Sequence, residues 1–260
     1  MPHRSPLPAR RAAFLTVLAV LAVGGARAQV NVEKMRTERQ GFRLTLGGDV
    51  AARTGNSDLV EVGGRARLDY RRARLYTFLV GSVRYGKQGG QVFKNQAFAH
   101  LRYNYGLTRV VVAEAFTQIE EDAFTRLRLR TLLGAGVRLR YLETDAAGLY
   151  QGSSVMIEHE RLDPAKVVVH PDRVTAPRWS NYVSLHLSLG ETATLVNIVY
   201  VQPRLDAFDD LRILDEATMS FTLTKNLNVN VTFNLRYDSL PPDGVESLDV
   251  TVRNGVTFSF

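Results

Sequence analysis

The sequence predicts an all-β chain: a single antiparallel up-and-down transmembrane β-barrel of about twelve strands. Three observations predict it. Apolar and polar residues alternate in about a dozen successive runs. The connectors between runs are alternately short and long. The last run stops on an aromatic residue, in "VRNGVTFSF", where a soluble domain ordinarily ends in a polar tail.

The N-terminus comes first. "MPHRSPLPARR" is basic and free of acid, and "AAFLTVLAVLAV" is too short an apolar run to span a bilayer as a helix. "ARA" at 26–28 is a small-residue cleavage site, so residues 1–28 are expected to be a secretory signal peptide, with the mature chain starting at Gln29. The signal carries Arg4, Arg10, Arg11 and Arg27 and no acid, so its removal lowers the formal charge of +7 by four, to +3. A nucleic-acid partner therefore loses its electrostatic basis. The absence of cysteine excludes disulfides, thiolate metal sites and cysteine nucleophiles. Residues 29–40 are polar and expected to be a periplasmic lead-in, leaving 41–260 for the barrel.

The runs fall at 42–54, 58–70, 73–86, 92–105, 108–119, 125–142, 147–161, 178–189, 193–202, 212–224, 226–238 and 246–260. In "LNVNVTFNLRY" Leu227, Val229, Val231, Phe233 and Leu235 take one face, and Asn228, Asn230, Thr232, Asn234 and Arg236 the other. Short connectors near 71–73, 106–108, 144–148, 190–192 and 225–226 alternate with longer ones, among them 161–177, 203–211 and 238–246. Short turns at one end and long loops at the other is the layout of outer-membrane barrels. Tyrosine and phenylalanine recur near run ends, as an interfacial girdle needs. Val256, Phe258 and Phe260 share one face of the last run and form an expected C-terminal assembly signal for the barrel assembly machinery.

In such a barrel the apolar face meets lipid and the polar face lines the interior. That phasing gives an expected interior charge ladder of Glu114, Arg128, Arg130, Arg138, Arg140, Glu158 and Glu160, with Glu114 paired to Arg128 or Arg130. Acidic loop residues, including Glu120 to Asp122 and Asp206 to Asp210, read as a solvated rim. His186 and Ser188 stand two apart on one face, the spacing of a base and a nucleophile, but on the polar side and without an orienting third residue. No enzyme, metal site or cofactor is expected.

The quoted stretches "YVQPRLDAFDDLR", "LTKN" and "RYDSLPPDGVESLD", with "GGDVAARTGNSD", "FAHLRYNYGLT" and "AEAFTQIEEDAFTRLRLRTLLGAGVRLRY", resemble the salt-induced outer-membrane protein (YdiY-like) family over most of 41–260. The match departs at 161–177. The resemblance implies an outer-membrane barrel associated with osmotic stress and supplies no catalytic residues. The expected partners are outer-membrane lipid and lipopolysaccharide, and the chain is expected to be a monomer. The expected role is a structural or small-solute barrel; the alternatives are an outer-membrane enzyme acting on lipid or peptide and a surface-loop binding protein.

Overall fold

The computed structural model describes residues 40–54, 58–224 and 227–258. The expected signal peptide and nearly all of the expected lead-in lie outside these residues, as does Phe260.

Twelve strands follow one another in space as in sequence. They are β1 (Gly41–Arg53), β2 (Leu59–Arg72), β3 (Leu75–Gln88), β4 (Gln91–Gly106), β5 (Val111–Asp122), β6 (Leu127–Glu143), β7 (Ala147–Leu162), β8 (Arg173–Leu189), β9 (Ala193–Pro203), β10 (Leu211–Thr224), β11 (Leu227–Asp238) and β12 (Leu248–Phe258). Every pairing is antiparallel and joins sequence neighbours. The connectors 73–74, 107–110, 144–146 and 190–192 lie at one end, and 163–172, 204–210 and 239–247 at the other.

The register shows how far the strands lean. One line of direct partners runs Leu75–Tyr105–Ala113–Val137–Ser153–Asn181–Val201–Ile213–Tyr237–Leu248. It leaves β3 at the short-turn end and reaches β12 at the long-loop end. It therefore climbs nearly a full strand length while crossing the sheet, which at about 4.8 Å between strands and about 3.4 Å per residue is a tilt of about 40°. That is the lean of a transmembrane barrel.

Alternation sorts the side chains as a bilayer requires. Phe42, Leu44, Leu46, Leu133, Val183 and Val252 are exposed on the outside, while the interior face carries buried Arg, Glu, Asp, His and Asn. A water-soluble protein does not expose so continuous an apolar belt, and in hydrocarbon the arrangement is the stable one. The interior face also meets itself: Arg236 of β11 reaches Glu120 of β5 at 3.4 Å.

Two expectations are corrected. β8 begins at Arg173, so the connector expected at 161–177 contracts to 163–172. Pro177 reads as a breaker, yet its carbonyl accepts from Leu205 N on the side where the β8–β9 ladder has ended. Its missing N–H points to that same side and costs no ladder bond. In β6, a register shift between Leu127 and Leu129 breaks the alternation. Leu127 turns into a buried cluster with Leu162 and Val167, and Arg128 turns out.

Candidate functional site

The interior polar face is the only part of the barrel where the described residues gather chemistry-bearing side chains at several levels. Nearest the long loops, β6 supplies Arg130, β7 supplies Glu158 and Glu160, β8 supplies Arg178, β10 supplies Arg212 and β11 supplies Arg236. Arg130 bonds Glu158 at 3.0 Å and stands 3.6 Å from Glu120. Arg212 spans the interior to Glu158 and to Glu160 (3.1 Å), and also holds Asp238 at 2.9 Å. Arg178 bonds Glu158 and, at 2.7 Å, Asp210. Glu120, Glu158, Glu160 and Asp210 each face more than one guanidinium, which is what buried charges need to offset desolvation. Beside this network lies a cavity of about 110 Å³ lined by Glu120, Arg130, Arg212, Arg236 and the prolines 241 and 242.

The middle level is tighter. Tyr182 of β8 donates to Glu114 of β5 at 2.7 Å, and Arg102 of β4 lies 3.7 Å from the same carboxylate. The Arg102 guanidinium sits over the rings of Phe116 (5.0 Å) and Tyr182 (5.7 Å), and Arg138 sits 4.0 Å over Tyr150. His100 stacks against Phe78, Phe98 and Phe116, with Nδ1 3.1 Å from Gln118 Oε1. Two glycines make room for this packing. A Cβ on Gly134 would fall 2.4 Å from the Phe116 ring, and one on Gly152 would fall 2.0 Å from the Tyr182 ring. Toward the short turns, Arg67 and the Tyr76 hydroxyl both donate to Asp69, at 2.8 and 2.6 Å.

Against this geometry the expected ladder is rearranged. Arg130, Glu158 and Glu160 stand together. Glu114 lies one level away and partners Tyr182 and Arg102 rather than Arg128 or Arg130, because the register sets it opposite Gly136 on β6 and Asn104 on β4. Arg138 is buried in that same level, and Arg140 pairs with Glu143 near the short turns. Arg128 belongs to no ladder; its exposed side chain bonds Asp163 in the long loop at 2.9 Å. Glu120, Asp122 and Asp210, expected at a solvated rim, are buried. Arg102, Arg178 and Arg212 are absent from the expectation, and Arg236 is expected on the polar face but not in the ladder. The same alternation finds Arg102 between Leu101 and Tyr103; Arg178 was hidden by placing the start of its strand there. His186 and Ser188 form no hydrogen bond with each other among the described residues, and Ser188 Oγ donates to the Asp145 carbonyl in the turn (3.2 Å). Val256 and Phe258 lie in β12, opposite Val229 and Leu227.

At the loop end, the Asp243 carboxylate accepts backbone N–H groups of Val168, Val169 (2.8 Å) and His170 (3.2 Å), clasping one long loop to another. Those donors hold its pKa below the ordinary carboxylate value. Asp206 is lowered likewise by its hydrogen bonds from Arg204.

A porin-like barrel, with an interior packed by ion pairs and aromatic rings, is the class this architecture defines. The chain belongs to the family described as "Protein of unknown function, DUF481", whose model matches residues 44–260. Comparison with curated proteins finds no match. Among solved structures, it is similar to the NanC porin, at 10% identity over 84% of this chain and 99% of that one, with a TM-score of 0.50. A KdgM porin in complex with disordered oligogalacturonate matches at 14% identity over 78% of this chain and 96% of that one, TM-score 0.43. The translocator domain of the autotransporter NalP from Neisseria meningitidis matches at 10% identity over 88% and 91%, TM-score 0.41. At these identities the likeness is one of fold.

Proposed function

We propose that the protein is a narrow outer-membrane barrel that passes small polar solutes along one side of its interior, and that it is not an enzyme. One contrast carries the reading. Arg102, Glu114 and Arg138 are 3% exposed or less, so the wall from β4 to β8 is dry. Across from it, Ser220 on β10 and Asn228, Asn230 and Thr232 on β11 keep part of their surface open. Amides and hydroxyls replace the hydrogen bonds of water and of small hydroxylated solutes at low cost, and they carry no fixed charge to trap an ion. The ion-paired wall narrows the bore and fixes its shape. The apolar belt supports an outer-membrane location, and the likeness to salt-induced outer-membrane proteins supports a place in the osmotic response.

Single-channel recording of the refolded protein in planar bilayers tests the reading. Small, steady conductance is expected, and Asn230→Arg, which fills the open side, should reduce it several-fold. A barrel that conducts nothing, or an Asn230→Arg variant that conducts as the parent does, overturns it.

A further inference from the structure

The outward face should be apolar at bilayer depth, and over most of the barrel it is. On β7 to β10 it is not. Gln151, Ser153, Asn181, Asn197 and Asp215 all alternate outward: their sequence neighbours Tyr150, Ser154, Tyr182, Ile198 and Leu214 face or pack into the interior. Asn197 Nδ2 donates to Asp215 Oδ1 at 2.6 Å, Gln151 Oε1 accepts from the Tyr141 hydroxyl at 2.7 Å and Ser153 Oγ accepts from Trp179 Nε1 at 2.8 Å, so these groups bond one another on the outside of the barrel and keep further donors and acceptors. Polar groups at this depth are costly against hydrocarbon and act as glue when another protein covers them.

The register says what covers them. Gln151, Val183, Val199 and Asp215 are direct partners in one line across β7, β8, β9 and β10. Asn181 is two residues from Val183 toward the long loops, and Asn197 is two residues from Val199 toward the short turns. The tilt of about 40° turns this oblique pattern upright. Each strand step along the line rises about 3 Å, and two residues along a strand rise about 5 Å. Asp215 and Asn181 then stand at one depth, and Asn197 and Gln151 at another, about 8 Å nearer the short turns. The members of each pair are about 12 Å apart, and both pairs are centred on the same vertical line, between Val183 and Val199.

We propose that this face binds a second copy of the same chain about a two-fold axis along the membrane normal. Such an axis exchanges residues of equal depth across that central line. Asp215 meets the partner's Asn181, and Asn197 meets the partner's Gln151. Each pairing sets an amide against a carboxylate or another amide, so the donors and acceptors that remain after the bonds within one chain meet complementary groups on the other. The centre of the patch is Val183 and Val199, short side chains that let two sheets approach. A different protein would have to reproduce these acceptors and donors at matching depths; a second copy supplies them by symmetry. The expectation of a monomer rested on no residue, and this patch is the observation that departs from it.

The absence of cysteine makes the test direct. Full-length protein carrying Val183→Cys, oxidised in bilayers with a membrane-permeant catalyst, should cross-link to itself several-fold more than Leu46→Cys on the far side of the barrel. Sedimentation in density-matched micelles should show a dimer that Asn181→Leu combined with Asp215→Leu weakens at least tenfold. Asp215→Asn, which keeps the shape and the hydrogen bonding, should retain it. Equal cross-linking at the two cysteine sites overturns the proposal, as does an unmodified protein that sediments as a monomer at every concentration. Cross-linking of Val183→Cys chiefly to a protein of another mass overturns it in favour of a different partner.

Discussion

Glu114 is held between a tyrosine hydroxyl and a guanidinium in a space with no water to spare. Replacing it with glutamine leaves Arg102 as an uncompensated buried cation, which costs about 3–5 kcal/mol. Neutralising Arg102 as well, with methionine, should return much of that loss. Urea unfolding in micelles of the two single variants and the double measures the difference; equal stabilities would mean that the level is wet. Gly152 tests the same level by volume. An alanine there drives its methyl into the Tyr182 ring, so the ring must leave Glu114, and Gly152→Ala should destabilise the barrel by about 1–3 kcal/mol. The sequence could announce neither contact. Alternation says that Glu114 and Tyr182 both face inward, but they are 68 residues apart, and only the curl of the sheet brings them within 2.7 Å.

Single strands were far more legible. Period-two alternation locates all twelve, and most boundaries fall within two or three residues, because one face must be apolar and the other polar over the whole crossing. The failures are local and physical. A bulge near Leu127 shifts the count by one, so Arg128 leaves the interior and Arg130 stays in it. Pro177 delays the start of a strand on paper and not in the fold, because the β8–β9 ladder begins only at Asn181 and asks no N–H of it. Facing is testable on β6. Val137 is outward near the middle of the bilayer, and Val137→Arg should cost about 2–4 kcal/mol. Among the loops, the Asp243 clasp depends on a carboxylate whose pKa is lowered in the folded protein. Its contribution is complete above the unfolded value of about 3.9 and disappears as pH falls through the folded one. Protection of the Val168 and Val169 amides, measured relative to their intrinsic exchange rates, should therefore be highest at neutral pH and fall in acid. Asp243→Asn should abolish that pH dependence.

For the molecule as a whole, ion pairs cross from β10 to β7 and from β11 to β5, so the interior is braced from wall to wall. The bracing is uneven along the barrel. Near the long loops Arg212 and Arg236 carry it across to β10 and β11; toward the short turns rings and guanidinium groups fill β3 to β8, whereas β10 and β11 present Ser220, Asn228, Asn230 and Thr232. Bore and brace thus occupy different sectors of one barrel. Substitutions at Asn228 and Asn230 should change conductance with little change in stability, and substitutions around Glu114 should do the reverse. A matched set of bilayer recordings and unfolding curves separates the two.

That lopsided filling also dictates how the molecule comes apart. β12, at the C-terminal end, lies beside the amide-lined stretch of β11 and pairs with it alone among the described residues, while the central strands are locked by buried charges. Loss of structure should begin at the C-terminal strands and peel inward, with β4 to β8 the last cooperative unit to open. Hydrogen exchange in micelles would then show two tiers of protection, divided along the sequence rather than along the depth of the membrane.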